Sequence, residues 1–157
     1  MKTITKQSLD VLARTMSVIP MSKLMGIIAG GDGYTSINFN NQASFESYMN
    51  QWITNSNFVE LSYYRYADGT WEVFRYATNT SHSCTTPGPV QYGNSVSGYS
   101  YEFGGKTIIG RGHIHGDNSF PSNSDFLSAA ETPGLPCHIY YGNGFYMTYG
   151  SNNYGLK

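Results

Sequence analysis

The chain has 157 residues, of which 12% are charged, with a formal net charge of -1 at pH 7, 14 tyrosines and 18 glycines. That length fits one domain able to bury a real core without staples. The charge balance supplies neither a basic stripe nor an acidic tail, which argues against a nucleic-acid partner, and the tyrosine, glycine and asparagine content predicts a β-rich, turn-rich body.

In residues 1–31, Leu9, Leu12, Ala13 and Met16 recur at helical spacing after Ser8, and Met21, Leu24, Met25 and Ile28 do so after Pro20. Two short amphipathic helices are expected there. Asp10 and Arg14 interrupt the apolar core that a secretory signal would need, and no stretch approaches a membrane span. The segment ends in Gly30-Gly31 and resembles a double-glycine leader, whose removal would start the remaining domain, residues 32–157, at Asp32; a helix capped by glycine is the alternative. Cytoplasmic residence and export by that route are both compatible with the sequence.

Residues 32–42 read as a turn-rich bridge. Phe45, Tyr48, Met49, Trp52 and Ile53 then fall at i, i+3, i+4, i+7 and i+8, which predicts a helix capped by Ser44 or Asn41. Residues 58–66 and 70–76 are rich in aromatics and flank Asp68-Gly69, a hairpin signal. A two-residue turn there sets 66 opposite 71 and 65 opposite 72, so that Glu72 pairs with Arg65 and Glu60 lies on the other face. Residues 78–97, with Pro87-Gly88-Pro89, read as a loop carrying His82 and Cys84. Residues 99–103 alternate, turn at Gly104-Gly105 and lead into the β-branched strand 107–112, which closes on His113-Ile114-His115. Residues 121–131 carry a serine cap and an early acid, predicting a short helix stopped by Pro133 and Gly134. Residues 137–141 and 145–149 form a last hairpin around Gly142-Asn143-Gly144, and 151–157 are a polar tail. The order predicts an α/β fold, a mixed β-sheet of hairpins packed with helices. Cys84 and Cys137 lack Cys-x-x-Cys spacing, which excludes a structural zinc site or a thioredoxin-like motif and leaves their pairing to the redox compartment.

The chemistry concentrates at the end of the histidine strand. Alternation puts His113 and His115 on one side, about 7 Å apart along the strand. Ser122 and Asp125, spaced i, i+3 in the first turn of the next helix, can look back at them. Two neutral imidazoles and a carboxylate, His113, His115 and Asp125, make a three-ligand set with a fourth position for water, which is how catalytic zinc is held. Another carboxylate must then take the proton from that water.

His113-x-His115-x6-Ser122-x2-Asp125 after a hydrophobic strand resembles the JAMM motif of MPN-type zinc metalloproteases and isopeptidases, in particular their prokaryotic branch. The family pattern has one more residue between the second histidine and the serine, and often a proline where this chain has Gly116. The resemblance spans about residues 44–149. It implies an MPN core, a zinc ion and a protein or peptide substrate hydrolysed by a metal-activated water. It also implies a general-base glutamate on a strand that follows a helix and precedes the histidines, the place of Glu60, with Glu72 and Glu102 as other candidates. Ser122 would help zinc to stabilise the oxyanion.

His113-x-His115-x-Asp117 is also similar to the start of the metallo-β-lactamase motif, but Asn118 stands where a histidine is expected. Pro136-Cys137 lacks the second cysteine of a zinc deaminase, and His113-x-His115 replaces its His-x-Glu. A cupin would need a glutamate within residues 116–120, which contain none. A metal-free, catalytically inactive binding module is the alternative of a different class. Loss of ligands would mark it, whereas His113, His115, Ser122, Asp125 and a candidate glutamate are all present.

Overall fold

The computed structural model describes residues 33–150. The expected helices in residues 1–31, the Gly30-Gly31 leader and the tail 151–157 lie outside the described residues. The fold is mixed α/β: eight strands in one mixed sheet, with two helices among the described residues. The strands are β1 (Tyr34–Phe39), β2 (Ser62–Tyr66), β3 (Trp71–Tyr76), β4 (Val90–Asn94), β5 (Gly98–Phe103), β6 (Lys106–Ile114), β7 (Cys137–Gly142) and β8 (Phe145–Tyr149). The helices are α1 (Gln42–Ile53) and α2 (Asn123–Ala130). None is long and apolar enough to cross a membrane.

The sheet runs β1-β3-β2-β6-β5-β4, and β7, joined to β8, also pairs with β6. β2 covers one edge of β6; the other edge is shared, antiparallel β5 pairing with Lys106–Ile108 and parallel β7 with Arg111–Ile114. β6 is therefore the central strand, and its far end, where the histidines lie, is flanked on both sides. One irregularity matters. The β2–β6 register changes between Arg65↔Gly110 and Tyr66↔Ile108, a bulge that puts Ile108 on the same face as Arg111 and His113.

α1 starts where Asn41 accepts the Ser44 N–H at 2.9 Å, and it buries Phe45 and Met49. Phe45 stacks on Trp71 with ring centroids 4.3 Å apart. Leu61, Tyr63, Val73, Ile114 and Tyr140 complete this core on one face of the sheet. α2 covers the other face, packing Ala129 and Phe126 against Cys137, Ile139 and Tyr149. Tyr140 faces α1 whereas Cys137 and Ile139 face α2, as alternation along β7 requires. The result is three layers, helix, sheet and helix.

Three expectations are corrected. Residues 34–39 form edge strand β1 rather than a bridge, and 90–94, expected in a loop, form β4. Both lie at sheet edges with little or no periodic burial, β4 being exposed throughout, so periodicity had no signal to offer. The third concerns the turn at Asp68-Gly69. Gly69 takes φ +83°, and Tyr66 N–H bonds Thr70 O at 2.9 Å, so the loop holds three residues, with glycine in the left-handed position of a bulge. The register slips by one: Arg65 faces Trp71 and Tyr64 faces Glu72. Arg65 lies over the Trp71 ring instead of pairing with Glu72. Glu72 accepts a hydrogen bond from Tyr66 Oη at 2.6 Å. The turn at Gly104-Gly105 holds two residues as expected, whereas Gly142 pairs with Phe145 at the end of β7 and leaves the last turn to Asn143-Gly144 alone; all four turn residues are at positive φ.

Candidate metal centre

The β2–β6 ladder places Ser62 opposite His113. Continued two residues along each chain, the same register sets Glu60 opposite His115, so Glu60, His113 and His115 share one face. Glu60 precedes the ladder, yet its backbone is held: its N–H donates to Thr80 O at 2.8 Å, and its carbonyl accepts from Asn79 Nδ2 at 2.7 Å. His115 likewise follows the strand proper. Its N–H donates to Tyr140 O at 3.3 Å, after Ile114 N–H to Leu61 O at 3.1 Å.

Glycine makes this backbone placement possible. A Cβ on Gly112 would stand 2.4 Å from His138 O and 2.5 Å from Tyr63 Oη, and one on Gly116 would stand 2.9 Å from the Phe58 ring. The chain can run this close to its neighbours only without side chains at those positions.

His113 and His115 bring their Nε2 atoms to 2.9 Å from each other. His113 Nε2 lies 3.3 Å from Asp125 Oδ1, and His115 Nε2 lies 3.7 Å from Glu60 Oε1. Glu60, His113 and His115 are buried, and one ligand atom of each lies within 4.8 Å of the others, a group that could hold a metal ion. The spacing of the sequence expected His113, His115 and Asp125 as ligands. The three-dimensional arrangement draws Glu60 into the closest group and leaves Asp125 beside His113.

Asp125 is aimed by a capping box. Its Oδ2 accepts the Ser122 N–H at 2.6 Å and the Ser122 hydroxyl at 2.8 Å, while its own N–H returns to Ser122 Oγ at 3.3 Å. Oδ1 is thereby left to face His113. The Ser122 hydroxyl, expected to serve an oxyanion, gives its proton to Asp125 in this arrangement. At the other end of α2, Arg111 reaches up from β6: Nη1 donates to Ser128 O and to Thr132 Oγ1, each at 3.4 Å, and Nη2 donates to Ser128 Oγ. A cation at the carbonyl end of a helix is favourable, and this one ties α2 to the strand that carries both histidines.

The electrostatics suit a cation. Burial pushes the Glu60 carboxyl up to about 7, and Asp125 and Asp117 add to the rise. Burial holds His113 below the ordinary imidazole range against the pull of Asp125, with His115 and Arg111 acting in the same direction as burial. An ion takes neutral imidazole and ionised carboxylate, so His113 is already in its ligating form and Glu60 would be ionised by a positive neighbour.

The group opens into a cleft of about 640 Å³ whose lining includes Ser122, Phe120, His82, Cys84 and Tyr149. One wall is residues 79–87, laid along the face by bonds from Ser62 Oγ to Thr85 O at 2.7 Å and from Tyr64 Oη to Pro87 O. His82 and Cys84 thus border the site, but neither joins the group that could hold a metal. Burial, then Glu60 and Asp125, push the Cys84 thiol up, away from the thiolate that a metal would need. Cys84 and Cys137 are both free thiols. Glu72 and Glu102, the other candidate bases, sit in ladders opposite Tyr64 and opposite Val90 and Thr107, outside the cleft lining.

Sequence reasoning passed over Arg111, Ser119 and Tyr141, and weighed Asp117 only as part of a metallo-β-lactamase-like motif. Arg111 carried a signal, standing two residues before His113 and so on its face; Asp117-x-Ser119 has the spacing of a side chain capping the backbone two residues on. Tyr141 had none, because only the parallel pairing of β7 with β6 brings it near. No protein-family model, curated protein or solved structure matches this chain.

Proposed function

We propose that the chain is a zinc-dependent metallopeptidase or isopeptidase, with an MPN-like core. The observation that carries this reading is the meeting of His113, His115, Asp125 and Glu60 at the floor of one cleft, supplied by a central strand, the helix after it and the segment before its partner strand. The resemblance of the His-x-His, serine and aspartate spacing to the JAMM motif adds the reaction class.

His113 Nε2, His115 Nε2 and Asp125 Oδ1 would hold zinc. The donor set fits it, because two convergent imidazoles and a carboxylate are borderline nitrogen and oxygen ligands, and three of them leave a fourth position open. The chemistry that zinc supplies when bound is a lowered pKa for water and polarisation of the substrate carbonyl. Glu60 takes the proton from the attacking water and hands it to the leaving amine, so one water is consumed and an acid and an amine are released. The ion would favour the ionised carboxylate that accepts the proton, while burial, which raises the Glu60 carboxyl, favours holding that proton until the amine leaves. Ser122, by turning its hydroxyl from Asp125 toward the carbonyl oxygen, is the donor available to the developing oxyanion.

The test is zinc content and peptide hydrolysis in wild type and four variants. Glu60→Gln is expected to retain stoichiometric zinc and lose turnover, Asp125→Ala and His113→Ala to lose zinc, and Ser122→Ala to lose on the order of 10²-fold in rate. Zinc lost from Glu60→Gln but kept by Asp125→Ala would exchange the roles of the two carboxylates. Wild type without zinc would refute the reading.

A further inference from the structure

The loop after β6 carries contacts that the catalytic proposal does not use. Ser119 O lies 3.2 Å from His115 Nδ1, and Ser119 Oγ lies 2.8 Å from the same nitrogen. A carbonyl oxygen only accepts, so the first contact requires a proton on Nδ1. Ser119 Oγ gives its own proton to Asp117 Oδ1 at 2.5 Å, so it too faces Nδ1 as an acceptor. Asp117 Oδ1 also takes the Ser119 N–H at 3.1 Å, closing the turn that aims the Ser119 carbonyl. Tyr141 Oη donates to that same carbonyl at 2.7 Å and fixes it from β7.

We infer that Ser119, braced by Asp117 and Tyr141, is a positioning residue that holds His115 as the Nδ1–H tautomer, so that its Nε2 presents a bare lone pair to the ion. The inference rests on the metal-binding half of the proposed function. A neutral imidazole carries one proton, and two acceptors claim it at Nδ1. Outer hydrogen bonds of this kind orient a ligand imidazole and raise its basicity, and their loss typically costs 10- to 100-fold in metal affinity. The three residues Asp117 to Ser119 thus give the loop, one residue shorter than the pattern it resembles, a task of its own: it closes around His115.

The experiment uses the full chain labelled with ¹⁵N at histidine and stripped of metal, above the pH at which imidazoles titrate. Imidazole nitrogen shifts identify the tautomer, and competition with a chromogenic chelator gives the zinc affinity. His115 is expected as Nδ1–H in wild type. Asp117→Ala/Ser119→Ala should lose that preference and bind zinc about 10- to 100-fold more weakly. Asp117→Asn, which keeps an acceptor for the turn, should restore both. Amide spectra of the metal-free variants establish that they fold; were the double variant to unfold, the wild-type tautomer still decides the matter. Nε2–H at His115 in wild type, or a folded double variant with unchanged tautomer and affinity, overturns the inference while the zinc site stands. Wild type that binds no zinc overturns the proposed function and the metal-presenting role together, even with His115 as Nδ1–H.

Discussion

At the scale of the residue, Glu60 and Gly112 carry the sharpest consequences. Glu60 keeps its proton up to about 7 in the folded chain, against an ordinary value of 4.5. The folded state therefore binds more protons than the unfolded state between those values, and this group's contribution to the stability of the metal-free protein falls as pH rises through that window. Glu60→Gln removes the effect. Relative to wild type, the metal-free variant should gain on the order of 2–3 kcal/mol between pH 4.5 and pH 8, at 1.36 kcal/mol per pKa unit. Chemical denaturation at both pH values checks it, and a constant difference would refute it. Gly112 separates Arg111 from His113, and a methyl there meets His138 O at 2.4 Å and the Tyr63 ring. Gly112→Ala is expected to cost at least 1–3 kcal/mol, as overpacking does, and to lower zinc content by displacing the strand that carries both histidines. Thermal unfolding and metal analysis on one preparation would show the two losses together.

At the scale of the element, each helix has a different task. α1 is anchored by Phe45, fully buried and stacked on Trp71. Phe45→Ala should cost about 3–5 kcal/mol with the site's chemistry untouched in whatever fraction remains folded. α2 is an eight-residue helix with little apolar burial of its own, Ala129 being its one buried residue. It carries Asp125, so its seating decides where that carboxylate points. Arg111 supplies the seating through Ser128 and Thr132. Arg111→Ala is expected to weaken zinc binding through Asp125 with little change in the core around α1. Faster amide exchange confined to α2, with protection of α1 unchanged, is the result that distinguishes this from general unfolding.

At the scale of the whole molecule, an ion held only by the folded chain stabilises it by mass action. Zinc at 100 times its dissociation constant should add about 2.7 kcal/mol. At roughly 2–4 °C per kcal/mol for a chain of this size, that raises the melting temperature by roughly 5–11 °C. The increment should shrink toward pH 5, as protons compete for the imidazoles and carboxylates that would hold the ion. Calorimetry with and without zinc at pH 7.5 and pH 5 measures both, and an increment independent of pH would argue against histidine ligands.

Much of this was legible in the sequence where local physics decides it. The Phe45–Ile53 stripe set α1, Asn41 capped it, Gly104-Gly105 set a two-residue turn, and His-x-His at the end of a β-branched run put two imidazoles on one face. Ser122 was legible as the cap of α2, whereas its hydrogen bonds to Asp125, in place of a view toward the histidines, were not. Edges and registers were a different matter. β1 and β4 have little periodic burial to read, and a glycine in the left-handed position turned the expected two-residue loop at Asp68-Gly69 into three, which separated Glu72 from Arg65. Alternation within one strand follows from the backbone, so the sequence by itself determined that His113 and His115 share a face. Pairing between strands depends on bulges, turn lengths and a parallel crossover, so only the tertiary structure decided that Glu60 meets His115, that Arg111 anchors α2, and that Tyr141 and Ser119 close behind the imidazole.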